Sequence, residues 1–265
     1  MAAMEGVDQP RMSVGRVFAR AFSTIKNNPL VVLVVALTVV AIPTALMSYL
    51  MMSAVSAAQF EAGSTTQSPS GFFAIMLLYW AVSLLIGAIA QGALTTATVA
   101  ESEGRKASLG ESFSAAVPVL LPLVGVGLLY VLGIMLGMIL LIVPGIILMV
   151  MWSVAVPALV IERGSVFDSF RRSRHLTKGA RWRILGAFVL LLFIYWLVSV
   201  VVGLLGVQIS GAGAATGFRP ADVIIPVILG TLITMIWGTV QPSIYVELRQ
   251  WKEGTDVRSL EDVFA

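Results

Sequence analysis

Charged positions cut the chain into long uncharged intervals. No Asp, Glu, Lys or Arg occurs in 27–60, 62–100, 112–161, 184–218 or 223–246. A membrane crossing takes about 20 apolar residues, because ~30 Å of hydrocarbon is covered at ~1.5 Å per residue. The interval 112–161 would reach about 75 Å as one helix, so it has to fold back. Val143-Pro144-Gly145 is the expected turn, since proline cannot continue a helix and glycine tolerates turn dihedrals. The pattern therefore predicts six transmembrane helices, at about 29–52, 72–100, 116–142, 145–161, 184–206 and 221–246. Alternating segments of a β-barrel are not seen. The expectation is an all-α integral membrane protein forming a single membrane domain over 1–265. Pro43, Pro122, Pro157, Pro226 and Pro242 fall in or near the spans and are expected to kink them.

Composition agrees. The chain is 58% hydrophobic and 12% charged, whereas soluble domains are about 45–50% apolar and about 25% charged. Too few polar residues remain to clothe a water-soluble globule of this size. The small-residue stretch 53–60 resembles a signal-peptidase site, but the apolar segment before it is longer than the roughly 7–15 residues of a signal peptide. An uncleaved first helix is the expectation.

The cations add orientation. Under six crossings one side collects Arg11, Arg16, Arg20 and Lys26, then Arg105 and Lys106. It also collects Arg163, Arg171, Arg172, Arg174, Lys178, Arg181 and Arg183, and finally Arg249, Lys252 and Arg258. Arg219 alone falls on the other side. Excess positive charge marks the cytoplasmic side, so both termini are expected there.

A short pattern recurs on that side: SVGRVFA (13–19), SLGESFS (108–114), SVFDSFR (165–171) and SLEDVFA (259–265). Each serine is placed to N-cap a helix, and Glu111 and Asp168 stand where a capping box would want an acid. The even-numbered spans also end alike, in TATVAE, PALVIE and PSIYVE, closing on Glu101, Glu162 and Glu247. Three repeats of an interfacial helix plus a helical hairpin are expected, with a partial fourth copy at the tail. The interfacial helices fall at about 13–26, 108–116 and 165–176. In the first, Val14, Val17, Phe18, Ala21, Phe22 and Ile25 form the apolar face that would lie against the membrane, and Phe170 is given that task in the third.

Chemistry is sparse. There is no cysteine and one histidine, His175, so no disulfide, thiolate or Cys-ligated metal is available. No metal-ligand spacing and no cofactor-binding loop is found, and no enzyme activity is expected. Asp168, Ser169, Ser173 and His175 read as solvated polar residues of a surface helix rather than a triad. Gly133 and Gly137 form a GxxxG, read as close helix packing. Gln91 and Gln241 are the notable polar residues within spans, as interhelical hydrogen-bonders or as parts of a polar path.

The basic cluster Arg171, Arg172, Arg174, Lys178, Arg181 and Arg183, with Trp182 among it, is the candidate site. It would serve topology and anchoring, or a specific contact with anionic membrane lipid or a protein partner, which could be a second copy of the chain. Nucleic acid is not required, because the bilayer accounts for the charge. A transporter or channel for a lipid or small solute is the competing expectation.

The stretches VPGIILMVMWSVAVPALVIERGSVFDSFRRSRHLTKGARWRIL (143–185) and YVELRQWKEGTDVRSLEDVF (245–264) resemble a bacterial inner-membrane family. It comprises YciC-like proteins and the membrane domain attached to some glycerophosphoryl diester phosphodiesterases. The resemblance implies a six-helix inner-membrane protein, and an accessory place in glycerophospholipid metabolism. It carries over no phosphodiesterase activity, because no soluble cleaving domain is present.

Overall fold

The computed structural model describes residues 12–60, 69–210 and 220–254. The 259–265 repeat copy, Arg11, Arg219 and Arg258 lie outside them. About 90% of the structure is helical, without strands among the described residues. Six helical stretches are long and apolar enough to cross a membrane.

The chain runs α1 (Val14–Asn27), α2 (Pro29–Phe60), α3 (Pro69–Ser102), α4 (Leu109–Ala116), a 3-10 turn (Val117–Val119) and α5 (Leu120–Leu140). It continues through α6 (Ile142–Met151), α7 (Ala155–Glu162), α8 (Val166–Thr177), α9 (Arg181–Ser210) and α10 (Pro220–Glu253). Prolines explain many of these boundaries. Pro29, Pro69 and Pro220 are first residues of helices; Pro122, Pro144 and Pro157 are third residues. A helix's first N–H groups have no intrahelical partner, so a proline there loses nothing. Pro43, Pro226 and Pro242 lie inside helices that run on without a break.

Two sequence-based boundaries are corrected. The turn expected at 143–145 falls earlier, at Leu141, whose backbone is extended (φ −165°, ψ 144°). Pro144 and Gly145 belong to the first turn of α6. The crossing expected as one helix over 145–161 is broken at 152–154. Pro157 offers no N–H to the Ser153 carbonyl and its ring excludes that carbonyl. The local pattern tightens, and the Ala155 N–H bonds the Trp152 carbonyl at 3.0 Å. The Met151 carbonyl thereby loses the partner that an unbroken helix would give it. The helix expected at 108–116 does form, but only one 3-10 turn containing Pro118 separates it from α5.

The C-terminal halves of α3 and α10, and α7 with the residue before it, contribute matching sets of residues to the core. Ala93, Leu94, Ala97 and Thr98 are buried, as are Val154, Ala155, Ala158 and Leu159, and Thr239, Val240, Ser243 and Ile244. These sets stand eight, seven, four and three places before Glu101, Glu162 and Glu247. Several buried hydroxyls bond carbonyls one turn back, such as Thr98 to Leu94 (2.8 Å) and Ser243 to Thr239 (2.7 Å), so they need no other partner. A second regularity follows the capping serines. The fourth, eighth and eleventh residues after each are buried: Val17, Ala21 and Thr24; Ser112, Ala116 and Val119; Ser169, Ser173 and Leu176.

Large apolar side chains cover the outside. Leu121, Ile139, Leu140, Leu192, Phe193 and Trp196 are all exposed. Scattered exposed leucines are ordinary, but exposed large apolar side chains in this number are not.

Candidate functional site

Hydrogen bonds tie α1 and α8 to the C-terminal ends of α3, α7 and α10. The three closing glutamates are the anchor points. Glu101 accepts from the Ser23 hydroxyl (2.5 Å) and, more distantly, the Asn27 amide (3.5 Å). Glu162 accepts from Arg172 Nε (2.7 Å) and the Tyr245 hydroxyl (3.0 Å). Glu247, only 3% exposed, accepts from Arg16 Nε (2.5 Å) and the Ser13 backbone N–H (3.3 Å), and Arg20 stands 3.8 Å away.

The local chemistry explains this last arrangement. At α4 and α8 the serine hydroxyl accepts the N3 N–H, from Glu111 at 3.1 Å and Asp168 at 3.2 Å. At α1 the N3 residue is Arg16, and Ser13 makes no side-chain cap. Glu247 supplies from α10 the carboxylate that a capping box would have placed at N3. The expected apolar face of α1 is divided: Val17 and Ala21 pack in the protein core with Ile244 and Leu248, while Phe22 is exposed.

The basic helix α8 docks against the break between α6 and α7. Ser173 Oγ donates to the Met151 carbonyl (2.8 Å) and accepts the Val154 N–H (3.3 Å); Thr177 Oγ1 reaches the same carbonyl (3.3 Å). Ser169 and Ser173 are therefore buried, which corrects their reading as solvated residues; Asp168 and His175 are exposed. Phe170 turns inward against Trp152, ring centroids 4.8 Å apart, so the expectation that it faces the membrane fails. Phe167 is the exposed aromatic of this helix.

The six candidate cations separate by partner. Arg172 is tied between Glu162 and Glu253 and serves the fold. Arg171 pairs with Asp168 (2.5 Å) on an open surface, and Arg183 Nη1 donates to the Met12 carbonyl (2.6 Å). Arg174 and Lys178 are exposed and have no carboxylate partner among the described residues. Arg181 is half-buried, with Nε buried and unbonded. Lys252, not singled out from the sequence, joins them: its ammonium donates to the His175 carbonyl (2.5 Å) and feels the charge of Lys178. Trp182, beside Arg181, is 85% exposed.

The Asp168 carboxyl is held below its usual range by the Ser165 hydroxyl and by Arg171, against a smaller opposing effect of desolvation. A depressed folded value means that ionised Asp168 stabilises the fold above the unfolded value, and that this is lost as pH falls through the folded one. Melting temperature is thus expected to drop on acidification below about pH 4, and to drop less steeply in Asp168→Asn.

Gly133 and Gly137 lie on α5 facing α6 and the break. A Cβ on Gly133 would meet Trp152 Cζ3 at 2.3 Å, and one on Gly137 would meet the Gly145 Cα at 2.9 Å. Farther into the bundle a cleft of about 420 Å³ opens between α2, α3, α5, α7 and α10. Val39, Gln91, Tyr130, Val156 and Trp237 are among its walls; Gln241 is not. Among the described residues no group of three or more His, Cys, Asp or Glu could hold a metal. No known family model, curated protein or solved structure matches this chain.

Proposed function

We propose that this is a non-catalytic multi-pass protein of the bacterial inner membrane, with both termini in the cytoplasm, whose α8–α9 joint binds the phosphate headgroups of anionic lipid. The observation that carries the reading is the set Arg174, Lys178, Arg181 and Lys252, which lacks carboxylate partners among the described residues and adjoins exposed Trp182. Cations near an anionic leaflet contribute about 1 kcal/mol each, and aromatic rings favour the headgroup level. The matched burial after the three serines and before the three glutamates supports three repeats of interfacial helix plus hairpin.

Native mass spectrometry of the purified protein tests the site. The unsubstituted protein is expected to retain anionic phospholipid, and Arg174→Ala/Lys178→Ala/Lys252→Ala to lose affinity on the order of 100-fold. Arg172→Ala should instead lower stability and leave lipid retention in place. Equal retention by the triple variant, or no retained anionic lipid at all, would refute the assignment.

A further inference from the structure

We infer that the interior cleft is a binding site for one neutral apolar chain bearing a hydroxyl, such as a single-chain lipid alcohol, with the hydroxyl received by Gln91. This rests on residues separate from the basic joint and does not depend on it. The cleft, about 420 Å³, falls within the roughly 300–1,000 Å³ of ordinary ligand sites. Gln91 on α3 and Trp237 on α10 each stand ten residues before a closing glutamate, about 15 Å along the helix. That is mid-depth in a hydrocarbon layer of about 30 Å.

Three features define the occupant. No charged residue is among the described residues lining the cleft, so an ionised headgroup would go unpaired there. Gln91 Oε1 is buried and has no hydrogen-bond partner among the described residues, so the wall presents an unmet acceptor. Tyr130, across the cleft on α5, donates its own proton to the Met149 carbonyl (3.5 Å), leaving its oxygen also able only to accept. A hydroxyl satisfies such a wall, and it satisfies the glutamine whichever way the amide is turned, because it both donates and accepts.

The space is also encoded in small residues. Gly87 and Gly127 line the cleft, and a Cβ on either would meet nothing within 4 Å. Gly238, likewise a lining residue, differs: its Cβ would strike Leu94 Cδ1 at 2.4 Å. A side chain at 238 would have to displace the tip of Leu94, whereas Gly87 and Gly127 keep room open. Glycine in a helix interior is unfavourable by propensity, so side chains there should be tolerated by the fold.

The experiment uses full-length protein in nanodiscs with two photoreactive probes, hexadecanol and hexadecane, each carrying a mid-chain diazirine. The hexadecanol probe is expected to label peptides covering 84–94, 123–131 and 233–238. Gly127→Leu should cut that labelling about tenfold or more without lowering the melting temperature. Gln91→Leu should cut hexadecanol labelling about tenfold and leave hexadecane labelling unchanged, which decides the matter even if Gly127→Leu folds poorly. Labelling confined to outward positions such as Leu121 and Leu192 would overturn the site. A Gln91→Leu effect equal for both probes would overturn hydroxyl recognition.

Discussion

Glu247→Ala is expected to destabilise the fold by about 2–3 kcal/mol and to free α1 from the bundle. Breaking a fully buried ion pair by removing one partner costs roughly 3–5 kcal/mol. Here the Arg16 side chain is 47% exposed and water can take over part of its solvation, whereas Arg20 is 18% exposed and Glu247 only 4%. The lower figure follows from that asymmetry. The Ser13 N–H also loses its acceptor, so the α1 N-terminus frays. For a chain this large the melting temperature should fall by several degrees, with faster amide exchange concentrated in 13–20. Arg171→Ala, which breaks a pair 77% and 55% exposed, should change stability by less than about 1 kcal/mol.

Ser173→Val with Thr177→Val is expected to cost about 2–4 kcal/mol. Thr177→Val keeps the side-chain volume, and Ser173→Ala in place of Ser173→Val separates the lost hydroxyl from the added bulk of valine at this buried site. Without the two hydroxyls the Met151 carbonyl and the Val154 N–H are stranded at the break in the fourth crossing, inside a core where Val154 is fully buried. Each unsatisfied buried group costs about 1–3 kcal/mol. Denaturant or thermal unfolding reads the loss, and hydrogen exchange should show α8 released first. Ser114→Ala removes an exposed hydroxyl bonded to the Glu111 carbonyl and should be nearly neutral.

What could be read from the sequence depends on the range of the forces involved. Six apolar stretches are legible because hydrocarbon thickness sets their length and charge marks their ends. The serine caps of α4 and α8 are legible because the partner is three residues away. The Leu141 break was misplaced because Pro144 fits a helix's first turn as well as it fits a turn. The 152–154 break was missed because Pro157 acts four residues upstream of itself.

The site was harder. Ser173 resembles a wet surface in sequence, since nothing local shows that its hydroxyl serves a broken helix elsewhere; Ser169 is buried although its hydroxyl bonds only the Ser165 carbonyl one turn back. Arg172 looks like its neighbours, yet its partners lie 10 and 81 residues away. Lys252 was overlooked for the same reason: only the fold brings it to the end of α8. Glu253 was equally invisible, whereas the closing glutamates announced themselves by repetition.

The proposed orientation puts α1, α4 and α8, with the cations, on the cytoplasmic face of the membrane. The chain contains no cysteine, so single cysteines can be introduced at Gly110 and His175, both exposed, without a background to remove. With a membrane-impermeant maleimide, Gly110→Cys and His175→Cys are expected to be labelled only after the cells are permeabilised. Labelling of either one in intact cells would contradict the account.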